Sequence, residues 1–245
     1  MPCAACGCGR KLRGRQFSFR KFCELDTGGL CRGSCRMATR RWVLDQSKFL
    51  STGEVRRLLQ TARTRAERAR GAAGKTAFRD FTVVALALAT GLRVGELAAL
   101  TCGDVFVRDG KASLNVRRGK GGKPRWVWFN GASKDHLVQY LRWKQDIGEP
   151  INDGAPLFLS ARTGTFVTTR ALEKAFKRAA AAAGLSPHYS IHSLRHTYAC
   201  HLYKASGWNL RLVQKQLGHS SIATTQVYAD VMEPDVRRAL EKLYA

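Results

Sequence analysis

The sequence predicts an α+β chain that is mostly helical and carries one small antiparallel sheet. From Ser51 onward, apolar residues recur at the three- and four-residue spacing of helices. Two short segments, 112–117 and 125–129, are instead typical of strands, and the second is rich in aromatic residues. A glycine-rich turn over 119–122 joins them into a hairpin. Many helices around one small sheet define the α+β class.

The first helix is predicted to begin at Ser51. Ser51 and Glu54 have the spacing of a capping box, in which each side chain satisfies a backbone amide of the other residue. One apolar stripe follows, formed by Val55, Leu58, Leu59, Ala62, Ala66 and Ala69. We expect the glycines of 71–74 to end this helix. Residues 71–76 are similar to the end of a phosphate-binding loop, but that motif needs glycine at Ala69, so we expect a plain loop.

The remaining elements follow from breaks in the apolar pattern. A buried helix is predicted over 77–90, ending at Gly91, and the next helix begins near Val94. After the hairpin, helical spacing returns over 132–146, 168–183, 192–206, 210–217, 222–228 and 234–243. The last of these helices begins at Pro234, a residue favoured in the first turn. Its apolar stripe comprises Val236, Leu240 and Leu243.

The charge of the chain indicates a polyanionic partner. Lys and Arg number 42 against 18 Asp and Glu, which gives a formal net charge of +24 and a pI near 10.4. Nucleic acid is the commonest large polyanion, so it is favoured over membrane headgroups. Hydrophobic residues make up 44% of the 245 residues, enough for a buried core, which argues against a wholly disordered chain.

The sequence gives no sign of a membrane or secretory destination. The longest nearly apolar run, 81–89, is too short to cross a bilayer. The N-terminus lacks the apolar stretch of a signal peptide. We therefore expect a cytoplasmic protein with no membrane partner. A reducing compartment disfavours disulfides among the eight cysteines and makes metal binding the alternative to weigh.

Residues 1–45 form a basic, cysteine-rich segment, and we expect a single domain over 46–245. Six of the eight cysteines lie in this segment: Cys3, Cys6, Cys8, Cys23, Cys31 and Cys35. Three interpretations stay open. The first is a zinc module, since Cys3 with Cys6 and Cys31 with Cys35 have the spacing of zinc ligands, although the 24 residues between the two pairs exceed the usual interval. A basic arm on DNA phosphates is the second interpretation, and a true translation start at Met37 is the third.

The side chains that carry chemistry are spread over 136 positions and are informative only together. The six side chains are Arg93, Lys120, His192, Arg195, His219 and Tyr228. Arg93 follows a glycine break, and Lys120 stands in the glycine-rich hairpin turn. His192 and Arg195 share a helical face at i and i+3, while His219 begins another turn and Tyr228 ends the next short helix. Each alone has an ordinary explanation, such as a surface charge, a turn residue or a core histidine. All six in this order are hard to attribute to chance.

This set matches what cleavage of a phosphodiester without a metal requires. Two guanidinium groups can hold the non-bridging oxygens and stabilise the charge that builds at phosphorus. A tyrosine nucleophile, with an ordinary pKa near 10, needs neighbouring cations or a base. The departing 5′ oxygen needs a proton from a positioned lysine or histidine. We find no carboxylate cluster typical of a metal site in the sequence, so we expect no metal and no cofactor.

Residues from about 50 to 245 resemble the tyrosine recombinase, or phage integrase, family, near its Xer-like branch. The matching segments are ATGLRVGEL around Arg93, GKGGK around Lys120, HSLRH from His192, QLGHSS around His219 and ATTQVYAD around Tyr228. The resemblance implies that the domain over 46–245 is a tyrosine recombinase catalytic domain, mostly helical with a small antiparallel sheet.

The resemblance also implies a role for each residue. Tyr228 attacks the scissile phosphate and forms a 3′-phosphotyrosyl link, while Arg93 and Arg195 clamp the phosphate with support from His219. Lys120 is the acid for the leaving oxygen, assisted by His192. Lys123, in the same turn, is a weaker candidate for that acid, and Glu96 has a structural role beside Arg93.

The start of the chain departs from the family pattern, because some 50 residues are too few for the usual DNA-clamping domain. We expect either one-sided binding of double-stranded DNA or an accessory DNA-binding partner. The family implies a homo-oligomer, a tetramer, on paired DNA sites, acting for a mobile element. The alternatives are a type IB topoisomerase-like relaxase, a catalytically decayed DNA-binding regulator and a small zinc-dependent nucleic-acid adaptor.

Overall fold

The computed structural model describes residues 46–69, 71–107, 110, 112–117, 123–160 and 162–231. Three sequence predictions lie outside these residues: the cysteine-rich segment 1–45, the hairpin turn that carries Lys120, and the terminal helix over 234–243.

Eight α-helices and three short strands make up the described part of the chain. The helices are α1 (Thr52–Arg68), α2 (Gly71–Thr90), α3 (Val94–Ala98), α4 (Gly131–Asp146), α5 (Thr169–Ala182), α6 (Ile191–Ala205), α7 (Leu210–Leu217) and α8 (Ala223–Val231). The strands are β1 (Val105–Phe106), β2 (Ser113–Val116) and β3 (Arg125–Trp128). The predicted α+β class, mostly helical with one small sheet, is confirmed.

The start of α1 has the predicted capping box. The Ser51 hydroxyl accepts a hydrogen bond from the Glu54 amide, and the Glu54 carboxylate accepts one from the Ser51 amide at 2.8 Å. Helix α1 ends at Arg68, just before the predicted break, but the prediction that 71–74 form a plain loop is wrong, because these residues are the first turn of α2. A Cβ at Gly74 would lie 2.8 Å from the Ala69 carbonyl oxygen, so this glycine permits the close approach of the two helices.

Helix α2 is the centre of the main core. It packs against α1, α4, α5 and α6, and its Val83 and Val84 are fully buried. Arg178 of α5 makes a bidentate pair with Asp80 of α2, at 2.7 and 2.8 Å. No helix in the described part of the chain is long and apolar enough to span a membrane.

The sheet is antiparallel, in the order β1-β2-β3. The predicted hairpin corresponds to β2 and β3, while β1 was not predicted because two residues are too short to show a period of alternation. Leu114 and Val127 face the core, whereas Trp126 and Trp128 lie on the opposite, exposed face. The hairpin therefore has one buried face, and Lys120 lies in the sequence between its two strands.

A smaller core joins α6, α7 and α8. Its buried members are Ala199, Cys200, Tyr203, Val213, Leu217 and Tyr228. Helix α8 is longer than the predicted 222–228, since it runs from Ala223 to Val231. Tyr228 is thus held by packing between helices.

Candidate active site

Arg93 is placed by a backbone turn that only glycine permits. Gly91, with φ of +62°, ends α2, and a Cβ there would collide with the ring of Tyr198. Arg93 then precedes the first turn of α3. Its amide and its Nη1 each donate to the carboxylate of Glu96, at 2.9 and 2.8 Å. Glu96 therefore fixes both the backbone and the guanidinium of Arg93.

Glu96 carries a second cation. Arg125, the first residue of β3, donates from Nη1 and Nη2 to the two Glu96 oxygens, at 2.9 and 2.8 Å. Burial alone would raise the pKa of Glu96, but the hydrogen bonds from Arg125 and Arg93 outweigh this effect and lower the pKa to about 2. The carboxylate is therefore charged at any ordinary pH, and the three side chains keep a net positive charge.

Arg195 is buried within α6, with 7% of the residue exposed. Its Nη1 donates to the Gly91 carbonyl, and its Nη2 donates to the Leu217 carbonyl at 3.0 Å. Burial, followed by the nearby charge of Arg93, lowers the pKa of Arg195 to about 10. The guanidinium remains protonated at neutral pH, so two positive groups stand close together beside Gly91.

His219 connects Arg195 to α8. Gly218, with φ of +65°, ends α7 in the left-handed conformation and turns the chain so that His219 faces Arg195. The distance from Arg195 Nη2 to His219 Nε2 is 2.9 Å, and His219 Nδ1 lies 3.0 Å from Thr225 Oγ1. Because arginine only donates, Nε2 accepts and the proton lies on Nδ1, which donates to Thr225.

Tyr228 lies against this histidine. The two rings are nearly parallel, 10° apart with centroids 6.5 Å apart, and the tyrosine is 2% exposed. Its hydroxyl is 3.2 Å from Nδ1 of His196. Burial raises the pKa of Tyr228 to about 12, against the opposing influence of Arg195. Burial also lowers the pKa of His196 to about 4, so this ring is neutral at physiological pH.

The structure brings together four of the six predicted side chains, Arg93, Arg195, His219 and Tyr228. His192 is exposed in the first turn of α6, one turn before Arg195. Lys120 lies outside the described residues, and Lys123, three positions later, is exposed two residues before β3.

Sequence reasoning missed three residues of this cluster. Arg125 follows the GKGGK segment by two positions, His196 follows Arg195 directly, and Thr225 lies one turn before Tyr228. For His196, the available signal was its position directly after the HSLR segment. Arg125 and Thr225 have no such signal, because their partners Glu96 and His219 come from other elements.

Two clustered arginines beside a tyrosine are suited to phosphoryl transfer through a covalent tyrosine link. The described residues contain no cluster of three or more His, Cys, Asp or Glu side chains positioned to hold a metal ion. The model of the phage integrase family matches residues 48–234, so the chain belongs to this family. The family resemblance seen in the sequence motifs is confirmed.

Similar proteins are tyrosine recombinases. The tyrosine recombinase XerC of Vibrio parahaemolyticus is 35% identical over 152 residues, which cover 62% of this chain and 47% of the relative. XerC of Neisseria meningitidis is 37% identical over 168 residues, covering 69% of this chain and 52% of the relative. The chain thus spans about half the length of the curated relatives it matches.

Solved structures give the same picture of the fold. The crystal structure of XerA recombinase matches with a TM-score of 0.64 and 27% identity, covering 84% of this chain and 66% of that one. XerH recombinase, bound to a palindromic difH substrate in a post-cleavage complex, matches with a TM-score of 0.64 and 26% identity, covering 80% and 53%. The Tn1549 transposon integrase, 21% identical, shares the fold with a TM-score of 0.61.

Proposed function

We propose that this chain supplies the catalytic domain, over 46–245, of a site-specific DNA recombinase. The observation that carries the proposal is the contact series in which Arg195 bonds to His219 and Tyr228 packs on the same histidine. Arg93 adds the second cation. The formal net charge of +24 suits double-stranded DNA as the substrate. The XerH relative, bound to a difH DNA substrate, supports that choice.

In the proposed reaction, the Tyr228 hydroxyl attacks the scissile phosphorus. A bond from the tyrosine oxygen to phosphorus forms, the bond from phosphorus to the 5′ oxygen breaks, and Lys120 gives that oxygen its proton. His192 assists the proton transfers, and the phenol proton leaves to a neighbouring base or to solvent. The product is a 3′-phosphotyrosyl link with a free 5′-hydroxyl. The link conserves the phosphodiester's energy, so a second strand can reverse the step without ATP.

Arg93 and Arg195 hold the phosphate in this proposal. Both guanidinium groups are fixed before DNA arrives, Arg93 by Glu96 and Arg195 by the Gly91 and Leu217 carbonyls. Pre-arranged donors stabilise the developing charge without reorganising during the reaction. His219, oriented by Thr225, supports Arg195 from the side of α8.

The burial of Tyr228 makes movement of α8 part of the proposal. A tyrosine that is 2% exposed presents almost no surface to a phosphate in duplex DNA. Helix α8 packs on α6 and α7 through the smaller core, so shifting it exposes Tyr228 and leaves the main core intact. The hydrogen bond to His196 breaks in the same movement.

Assembly is a further part of the proposal. Exchange of two DNA duplexes needs four coordinated cuts, which suits a homo-tetramer on paired sites, with an accessory DNA-binding partner if the chain binds only one face of DNA. If the predicted terminal helix docks on a neighbouring subunit, removing residues 233–245 should weaken synapsis far more than binding to a single site; equal losses in both assays would show that this helix packs on its own domain. A deletion of residues 1–36 should flatten the dependence of log affinity on log salt if that segment is a phosphate-binding arm.

Action in the cytoplasm for a mobile element is the setting we propose.

The test of the proposed function is single-turnover cleavage of a nicked DNA site, with trapped covalent adducts as the readout. Arg93→Ala and Arg195→Ala should each slow cleavage about 100- to 1,000-fold, the usual cost of one transition-state donor. Cleavage should persist in EDTA, since no step uses a metal. A magnesium requirement for the cutting step, or full activity in both arginine variants, would contradict the proposal.

A further inference from the structure

Arg125 has no role in the mechanism above, yet it contacts two of the segments that form the site. It lies at the start of β3 and makes a bidentate pair with Glu96, through Nη1 and Nη2 at 2.9 and 2.8 Å. The Arg125 side chain is 12% exposed and that of Glu96 is 6% exposed. The pair is therefore shielded from water, where charge-assisted hydrogen bonds are strong and geometrically specific.

The Glu96 carboxylate accepts four hydrogen bonds, two on each oxygen. Oε1 accepts from Nη1 of Arg93 and from Nη1 of Arg125, and Oε2 accepts from the Arg93 amide and from Nη2 of Arg125. Because each oxygen accepts two hydrogen bonds, the carboxylate cannot rotate without breaking several of them. Arg125 thereby sets the orientation of the group that holds Arg93.

Arg125 also packs on the backbone next to His219. A Cβ on Gly218 would lie 2.6 Å from Cδ of Arg125 and 2.7 Å from its Nε, so the arginine rests directly on the glycine Cα. Gly218 precedes His219 and has the left-handed φ of +65° that turns this histidine toward Arg195. The arginine thus supports the turn that places His219.

The third connection is along the chain, since Arg125 begins β3 of the hairpin and lies five residues after Lys120 in the sequence. One side chain therefore links the hairpin, the Arg93 segment and the His219 turn. We propose that Arg125 is a positioning residue that aligns these three segments for cleavage of the phosphodiester. We assign it no contact with the substrate, because Nη1 and Nη2 are bonded to Glu96 and Nε is buried. This inference rests on the proposed function and deepens it.

The geometry requires arginine rather than any cation. The planar guanidinium presents two parallel donors that match both carboxylate oxygens, whereas a lysine ammonium is a point charge that cannot bridge them in this way. Arg125→Lys keeps the positive charge beside buried Glu96, so it preserves folding while it loosens the alignment. Arg125→Gln removes both the charge and the bidentate pair.

The chain offers a matched control in Arg178. This arginine also makes a bidentate pair with a carboxylate, Asp80, but joins α5 to α2 away from the site residues. Arg178→Gln removes the same charge and a bidentate pair, although the Arg178 side chain is 45% exposed, against 12% for Arg125. Comparing Arg125→Gln with Arg178→Gln separates the alignment of the site from the general loss of an ion pair.

The experiment measures the dissociation constant for a single DNA site and the single-turnover rate of adduct formation, for the full chain and these three variants. Arg125→Gln and Arg125→Lys should bind DNA within about threefold of Arg178→Gln but form adducts at least about tenfold more slowly, since a misplacement of about 1 Å can cost about 100-fold. Equal cleavage rates in Arg125→Lys and Arg178→Gln would overturn the inference, even where Arg125→Gln does not fold. If the unmodified chain forms no adduct, the proposed function itself fails.

Discussion

The hydroxyl of Tyr228 lies 3.2 Å from Nδ1 of His196, inside the small core of α6, α7 and α8. Burial raises the pKa of this tyrosine to about 12 and lowers that of the histidine to about 4. The proposed nucleophile is thus held protonated, buried and bonded to a neutral ring. Under the proposed function this arrangement keeps the tyrosine inert until α8 moves.

The first prediction concerns the protection of Tyr228 in the free protein. Nitration by tetranitromethane, followed by peptide mass spectrometry, should modify Tyr228 as slowly as Tyr203, which is 6% exposed in the same core. His196→Phe keeps a ring but removes the hydrogen bond, worth about 1 kcal/mol, so Tyr228 should react about fivefold faster while Tyr203 does not change. Nitration of Tyr228 at the rate of an exposed tyrosine in the unmodified chain would contradict this structure of the site.

The second prediction concerns the pH dependence of cleavage. Tyr228 is almost entirely protonated at neutral pH both when buried, with a pKa of about 12, and when exposed, with an ordinary pKa near 10, and in either state its phenolate fraction rises about tenfold per pH unit below the pKa. The single-turnover cleavage rate should therefore increase from about pH 6 to about pH 9. A rate that falls over this range would show that loss of the phenol proton does not limit the reaction.

The third prediction separates the two lysines of the hairpin. Lys120→Ala should slow cleavage about 100-fold or more, because it removes the proposed acid for the 5′ oxygen. Replacing that bridging oxygen with sulfur should restore most of the rate, since a thiolate, with a pKa near 8.5, leaves without a proton. Lys123→Ala is the matched control and should cleave both substrates almost normally. The same pattern in Lys123→Ala instead of Lys120→Ala would reassign the acid.

The fourth prediction concerns acid stability. His136 of α4 packs against Phe78 and Phe81 and bonds to Thr82, and burial lowers its pKa from 6.5 to about 4. The unfolded chain therefore binds this proton more readily, so the free energy of unfolding falls as pH drops from about 6.5 to about 4. His136→Phe should reduce that fall by about 2–3 kcal/mol in denaturant titrations. An unchanged pH slope would show that His136 does not titrate as a buried group.

The sequence predicted the elements that have local signals. The capping box at Ser51, the end of α2 at Gly91 and the exact extent of α7 depend on residues close together in the chain. The prediction of a plain loop over 71–74 was wrong because glycine has two structural roles. It ends helices, but at Gly74 it permits the close approach of α2 to Ala69.

The identities of the site residues were easier to predict from the sequence than their spatial arrangement. Motif residues around Arg93 and Tyr228 could be recognised from the chain alone. The burial of Tyr228 and the bridge from Arg125 to Glu96 arise from contacts between distant segments, 29 residues apart for the bridge. No local period encodes such contacts, so they become visible only in the folded chain.

The most direct test of the central proposal is the covalent bond to Tyr228. The unmodified chain and Tyr228→Phe should bind a nicked DNA site with similar affinity, because the substitution removes one buried hydroxyl and no charge. Only the unmodified chain should yield a denaturation-resistant protein–DNA adduct, with the DNA fragment attached at residue 228 by peptide mass spectrometry. Adducts at unmodified levels in Tyr228→Phe, or attachment at another residue, would contradict the proposal.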